Sequence, residues 1–290
     1  MECPICHSGL RLFKEIPEIK DHFLTKETFK IAECANCELL KTVMPENVNL
    51  DKYYDSDDYI SHGGKKLNPL HLAYRIARKY TLKQKRGLLN ALNTEKTVLD
   101  FGCGTGDFLN YMQANKWSIS GIEPSESARR NATLKVGTEI NKSISDTSDK
   151  FSIITAWHVL EHTLDPIETI QKLSERLNFG GKLLIAIPNY KSFDANKYKG
   201  YWAGYDVPRH LWHFSPKTIK QLAAKLGLTV QKTIPMKLDA YYVSLLSEKY
   251  IHTNKLGLET VIRAIISGNQ SNSEARRTGN YSSLIYILTK

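Results

Sequence analysis

Val98-Leu99-Asp100-Phe101-Gly102-Cys103-Gly104-Thr105-Gly106 is the stretch on which the fold turns. The apolar run 97–101 has the length and composition of a buried strand. It breaks at three glycines on alternate positions and passes into a helical pattern that reaches about Asn115. Glycines there permit a tight turn and let a ligand approach the backbone, because no Cβ intervenes. The next strand reads as residues 117–122, and Glu123 follows it, 23 residues beyond Asp100. An acidic side chain at that distance suits the two hydroxyls of a ribose. The spacing is G-x-G-x-G, which differs from the G-x-G-x-x-G of nicotinamide and flavin sites. No Gly-Lys-Ser/Thr follows, which argues against a phosphate loop.

Strands and helices alternate outward from this point. Helical spacing is read at 69–92, where Leu72, Ile76, Leu82, Leu88, Leu89 and Leu92 recur, then at 125–135, 166–177 (stopping at Gly180-Gly181) and 216–227. Strands are read at 151–157, 182–187, 229–233 and 281–288, with a helical stretch at 238–280. That order indicates βαβ units around a mostly parallel sheet, an α/β fold.

The glycine stretch resembles motif I of the class I S-adenosylmethionine (SAM)-dependent methyltransferases, commonly D/E-x-G-x-G-x-G. The resemblance continues downstream. Phe151-Ser152-Ile153-Ile154 resembles the fourth strand, and Trp157-His158-Val159-Leu160-Glu161-His162 resembles the H/E-V-L-E-H segment after it. Leu177-Asn178-Phe179-Gly180-Gly181-Lys182-Leu183 resembles the turn before strand five, with Phe179 in place of the usual proline. Together these cover about residues 90–235. The resemblance implies a Rossmann-like sheet of seven mostly parallel strands with flanking helices, SAM as cofactor and methyl transfer as the reaction. It implies that Gly102 and Gly104 pack against the methionine part of SAM, that Asp100 orients its amino group, and that Glu123 binds the ribose. Asp146 is the candidate for the adenine amino group, Trp157 and His158 line the pocket near the sulfonium, and Cys103 is a small filler.

Cys3-Pro4-Ile5-Cys6 and Cys34-Ala35-Asn36-Cys37 stand 27 residues apart. Two Cys-x-x-Cys turns complete a tetrahedral all-thiolate site, so Cys3, Cys6, Cys34 and Cys37 are candidate ligands of a structural Zn²⁺ in a zinc-ribbon-like segment. With all four positions used, none is open for chemistry. Redox disulfides are the competing reading. The expected organisation is a four-cysteine segment at 1–45, a linker and helix at 46–92, and a catalytic domain at 93–290 with a helical insertion at about 238–280. The linker contains a Tyr- and Asp-rich stretch, 53–59, that ends at Gly63-Gly64. Similar four-cysteine segments occur in sugar C-methyltransferases and in some RNA methyltransferases. The sugar group usually carries a further C-terminal domain, for which this sequence has no room.

The formal net charge of +10 suggests an anionic partner such as nucleic acid or a nucleotide-linked sugar, and it suits a generally basic surface equally well. No stretch approaches the roughly 20 apolar residues of a membrane span. No signal peptide is read at Met1-Glu2-Cys3, so a cytoplasmic location is expected.

Two clusters remain for the methyl acceptor. His158, Glu161 and His162 fall at i, i+3 and i+4, and a second group comprises Trp202, Tyr205, Asp206, Pro208, Arg209, His210, Trp212 and His213. Loops after the strands' C-terminal ends build the site in this fold, so both clusters are expected beside the SAM methyl group. His162 or His210 is the candidate general base. Binding of a divalent cation by His158, Glu161, His162 and a later histidine, or mere shaping of the pocket, are the alternatives. Arg209 is read as a binder of phosphate or carboxylate. Trp202 and Trp212 either stack on a ring or pack the loop. The function expected is methylation of a small, polar or anionic acceptor, with a sugar or lipid-like intermediate in view. The alternatives are an RNA methyltransferase and a non-catalytic SAM-binding or zinc-ribbon interaction protein.

Overall fold

The computed structural model describes residues 2–45, 50–53, 69–92, 95–252 and 257–290. Most of the Tyr- and Asp-rich connection, and Gly63-Gly64, lie outside these residues. The N-terminal strands are β1 (Leu10–Leu12), β2 (Glu18–Lys20), β3 (Thr28–Cys34) and β4 (Leu40–Val43). Then come α1 (Pro69–Ala91), β5 (Thr97–Phe101), α2 (Asp107–Ala114), β6 (Ser118–Ile122), α3 (Glu126–Val136), β7 (Phe151–Trp157) and α4 (Pro166–Glu175). They are followed by β8 (Leu177–Pro188), α5 (Phe193–Tyr198), β9 (Trp212–His213), α6 (Pro216–Lys225), β10 (Thr229–Pro235), α7 (Asp239–Ile251), α8 (Leu258–Thr278) and β11 (Ser283–Thr289). No helix among the described residues is long and apolar enough to cross a membrane.

The chain divides into two compact units. One holds Asp57–Val159, Ile170–Ile185 and Ile287–Lys290. At its centre β5 pairs in parallel with β6 on one side and with β7 on the other, Val98 opposite Ile119 and Ile153. Buried on both faces, β7 is an almost continuous apolar run, as a parallel interior strand requires. The large sheet has the order β10-β11-β8-β7-β5-β6.

Among the described residues this sheet has six strands, where seven are expected. Beside β6, where another strand would lie, a single parallel bridge joins Ile122 to Asn141. Gly137 ends α3 in a left-handed conformation and Ser143 caps a 3₁₀ turn at Ile144–Asp146; between them only Asn141 bridges to β6. A second correction concerns α4, which stops at Glu175, before the Gly180-Gly181 pair. The Arg176 carbonyl accepts from the Phe151 amide at 2.8 Å, so the chain is drawn into the sheet before it reaches the glycines.

The other unit holds Met1–Ser56, Leu160–Thr169 and Ala186–Tyr286. Its five-stranded sheet has the order β1-β3-β4-β9, with β2 also on β3, and its pairings are antiparallel. Alternate residues of β3, Phe29 and Ile31, point into a core shared with Tyr190, Tyr198, Trp202 and Tyr205. The four-cysteine segment thus has an apolar core, supplied largely by residues 190–207, in addition to any metal staple.

Candidate active site

In the glycine loop the amides of Gly102 and Cys103 both donate to the Ile122 carbonyl, at 2.8 and 3.0 Å. Gly102 and Gly104 have φ of +72° and +55°, where an L side chain is strained. A Cβ at Gly102 would stand 2.5 Å from Val159 Cγ2, whereas one at Gly104 meets nothing within 4 Å. Gly102 is thus required by packing, while the space beside Gly104 is open for a ligand. Glu123 is anchored at both oxygens: Oε2 accepts from the Gly104 amide at 2.8 Å and Oε1 from the Ser125 amide at 2.9 Å. Each oxygen keeps a second lone pair for a further donor.

Asp100 is buried at the end of β5, where Thr155 Oγ1 donates to its Oδ1 at 2.6 Å. Burial pushes its pKa up to about 7, against the opposing pull of the Thr155 hydrogen bond and of Lys85. Trp157 meets Phe108 edge-to-face at 5.6 Å, and Lys85 Nζ lies 4.1 Å above its ring. The indole Nε1 is buried and has no hydrogen-bond partner among the described residues, a polar atom that a ligand could satisfy. His158 follows with φ of +56°. The Asp146 carboxylate accepts from the Ser143 amide at 2.8 Å in a capping box. Cys103 is a filler in the structure, packed with Leu109, Ala132, Val136 and Ile140. Open glycine backbone, fixed carboxylates and an orphaned indole N–H together suit a nucleoside ligand with an amino-acid end.

The second cluster lies in the other unit. Glu161 is buried in a 3₁₀ turn, and its backbone carbonyl accepts from Leu211 N–H at 2.8 Å. His162 Nδ1 lies 3.0 Å from the Arg209 carbonyl and His210 Nδ1 lies 2.9 Å from the Gly204 carbonyl. A carbonyl only accepts, so both rings carry the proton on Nδ1 and leave Nε2 as the lone-pair nitrogen. Their centroids are 4.6 Å apart, edge to face, and His210 Nε2 stands 4.0 Å from Glu161 Oε1. Burial, with His210 close by, pushes His162 down to about 4, and burial takes His213 down to about 3, so both are neutral at pH 7. Ring or carboxylate atoms of Glu161, His162 and His210 all lie within 4.8 Å of one another. Glu161, Tyr190, Trp202, His210, Trp212 and His213 line a tightly closed crevice here.

Two expectations change in this loop. Arg209 is no anion binder: it is buried, pairs with Asp206 at 2.6 Å and Asp21 at 3.0 Å, and donates to the Tyr53 carbonyl. Two carboxylates already neutralise it, so its guanidinium ties the loop to the N-terminal segment. Trp202 and Trp212 pack the loop. Their indoles donate to Asp194 at 2.8 Å and to the Thr163 carbonyl at 2.9 Å. Thr42 and Asp21, which contact His210, His213 and Arg209, carry no local signal in 1–45, because their partners stand 168 to 188 residues away.

The four cysteine sulfurs lie within 4.8 Å of one another, with Cys3–Cys37 and Cys6–Cys34 each at 3.4 Å. These separations are far beyond an S–S bond and near the roughly 3.8 Å spacing set by tetrahedral Zn–S bonds of about 2.3 Å. The two knuckles match in detail. His7 and Glu38, each following its second cysteine, have φ of +59° and +63° and donate to the Cys3 and Cys34 carbonyls at 3.0 and 2.9 Å. Twin turns aiming four thiols at one point fit a tetrahedral metal.

A family model described as a methyltransferase domain matches residues 72–233. A ubiquinone biosynthesis O-methyltransferase of Vibrio atlanticus (strain LGP32) is 30% identical over 138 residues, 43% of this chain and 56% of that protein. Its namesake from Coxiella burnetii (strain RSA 331 / Henzerling II) is 31% identical over 170 residues, 54% of this chain and 69% of that one. The match therefore spans little more than half of the first relative and about two thirds of the second. Among solved structures, magnesium protoporphyrin IX methyltransferase from Synechocystis PCC 6803 with bound S-adenosylhomocysteine (SAH) superposes with a TM-score of 0.52. It is 15% identical, and the superposition covers 81% of this chain and 95% of that one. Phosphoethanolamine N-methyltransferase 2 of Haemonchus contortus, in complex with SAM, gives 0.52 at 15% identity, covering 87% and 62%. At these identities the two structures bear on the fold alone.

Proposed function

This chain belongs to the methyltransferase-domain family, and from that premise we propose that it transfers the methyl group of SAM to a hydroxyl oxygen of a small molecule. The observation that carries the proposal is Glu123, after β6 and fixed at both oxygens beside an open Gly104 backbone, with Asp100 buried near the end of β5, the strand that leads into that glycine loop. The curated relatives, both named O-methyltransferases, support oxygen as the acceptor atom.

When bound, SAM supplies a methyl electrophile on a sulfonium. Glu123 holds the ribose hydroxyls, Asp100 the amino group, and Gly104 lets the methionine part lie against the backbone, while Gly102, packed on Val159, shapes the turn. Asp146 meets the adenine amino group with the carboxylate oxygen that Ser143 does not use, and Trp157 and His158 line the sulfonium side. The acceptor occupies the histidine pocket. His210, with Nδ1 anchored on Gly204, takes the acceptor proton on Nε2, and the Glu161 carboxylate 4.0 Å away stabilises the imidazolium that forms. His162 stays neutral and orients the hydroxyl. Structural zinc on Cys3, Cys6, Cys34 and Cys37 has no part in the chemistry.

Tritium transfer from methyl-labelled SAM to a panel of phenolic and sugar hydroxyls tests the proposal. A phenol or sugar should be labelled, and His210→Ala should lower the rate roughly 10²- to 10⁴-fold, the usual worth of a general base. A panel on which the wild-type protein labels nothing, while binding SAH, would count against the oxygen acceptor.

Asp100 adds a pH dependence. The ligand's ammonium needs the carboxylate, so below about pH 7 binding must expel a proton, and SAH affinity should fall about tenfold per pH unit. The raised pKa also means that the ligand-free fold holds a proton that the unfolded chain releases near pH 3.9. That contribution to stability is complete below pH 4 and is lost as pH rises through 7. Calorimetry in buffers of different ionisation enthalpy reads the proton directly. Asp100→Asn should flatten the profile, and an equally steep profile in that variant would refute the assignment.

A further inference from the structure

We propose that Thr42, on β4 of the four-cysteine segment, is a positioning residue for the histidine loop: its hydroxyl holds the His210 carbonyl and fixes His213 as the Nε2–H tautomer. The inference rests on reading the histidine pocket as the acceptor site. Thr42 is 0% exposed. Its Oγ1 lies 2.7 Å from the His210 carbonyl oxygen and 3.0 Å from His213 Nε2. The carbonyl has no proton to give, so in the first contact the hydroxyl must donate. A hydroxyl has one proton, so in the second contact it must accept, and His213 carries its hydrogen on Nε2. Nδ1 is then the lone-pair nitrogen of a ring that lines the acceptor pocket.

The backbone of β4 extends the same grip. Leu40 and Lys41 pair with His213 and Trp212, and the Thr42 amide donates to the Leu211 carbonyl at 2.9 Å. Leu211 in turn donates to the Glu161 carbonyl at 2.8 Å. One strand of the N-terminal segment therefore touches residues 210, 211, 212 and 213 in succession, and the next hydrogen bond reaches Glu161. Of these contacts, only those of the Thr42 hydroxyl depend on the side chain's chemistry. Valine matches threonine in shape and lacks the hydroxyl, so Thr42→Val removes both bonds at once, while Thr42→Ser keeps them.

Long-range proton–nitrogen spectra of the full, metal-loaded chain, labelled with ¹⁵N-histidine and assigned against His213→Gln, read the tautomer without any acceptor. Wild type and Thr42→Ser are expected to show His213 protonated on Nε2, with a slowly exchanging imidazole proton. In Thr42→Val that proton should exchange roughly tenfold faster or more, since its buried partner is gone. A wild-type His213 protonated on Nδ1 overturns the proposal, and so does a Thr42→Val protein with unchanged exchange. The wild-type tautomer decides even where Thr42→Val does not fold. A failure of methyl transfer leaves this readout intact, so the two readings fail separately.

Discussion

Cys34→Ser, or treatment with a strong zinc chelator, is expected to take the bound metal from one ion per chain to none and to unfold the N-terminal sheet. A structural zinc contributes about 10–16 kcal/mol of apparent binding free energy in small fingers. Whole domains are stable by only about 5–15 kcal/mol. Here Cys34 ends β3, the strand that pairs with β1, β2 and β4, so losing the metal loosens the centre of the five-stranded sheet. The damage should not stay within the cysteine segment. Tyr190 donates to the Glu38 carbonyl at 2.6 Å, Thr218 to the Cys37 carbonyl at 2.9 Å, and Arg209 reaches Asp21 at 3.0 Å. Elemental analysis, thermal unfolding and near-ultraviolet circular dichroism of the Trp202–Tyr205 cluster should therefore change together. A Cys34→Ser protein with an unchanged melting temperature would show that the apolar core alone sustains this unit. The difference from wild type should shrink as pH falls, because thiolate ligands must be deprotonated to hold the ion and the wild-type protein itself then releases it.

What could be read from the sequence was local. The turn from strand to helix at Gly102, Gly104 and Gly106 announces itself within nine residues. Glu123 is found by counting from Asp100, and each cysteine knuckle is complete in four residues. The run at 151–157 became a strand because its apolar, β-prone residues are too few for a helix and too continuous for one exposed face. The rest depends on partners distant in the chain. Nothing in Leu40-Lys41-Thr42-Val43 says that it will pair with the two-residue strand Trp212–His213. Arg209 looks like an anion binder until Asp21, 188 positions away, is placed against it. Among the described residues no seventh strand joins the large sheet: beside β6 the segment between Gly137 and Ser143 makes one bridge, at Asn141, and nothing local in the sequence signals that. Likewise the cluster of Glu161, His162 and His210 could be suspected as two motifs, whereas the tautomers that decide its chemistry come from the carbonyls of Arg209 and Gly204.

Glu123→Ala should weaken SAH binding by roughly 10²- to 10³-fold while leaving the protein folded. Two hydrogen bonds from ribose hydroxyls to a carboxylate contribute about 1.5–3 kcal/mol each, and every 1.4 kcal/mol is a factor of ten in Kd. The side chain is half-buried and its two protein partners are backbone amides near the surface of the loop, so water can replace it there at small cost in stability. Glu123→Gln is the sharper test. The carboxylate now accepts from Gly104 N–H on one oxygen and from Ser125 N–H on the other. An amide offers one acceptor and one donor, so one of those backbone N–H groups must face an NH₂. The isosteric variant should thus lose nearly as much affinity as alanine, with Gly104 displaced from its place in the loop. Were Glu123 merely a charge that attracts the ligand from a distance, Gln and Ala would lose the same modest amount, and raising the salt concentration would abolish the difference from wild type. Titration calorimetry of SAH into the three proteins at two ionic strengths separates the cases. Salt-insensitive losses of at least two orders of magnitude are the result expected of a carboxylate in direct contact with the ribose.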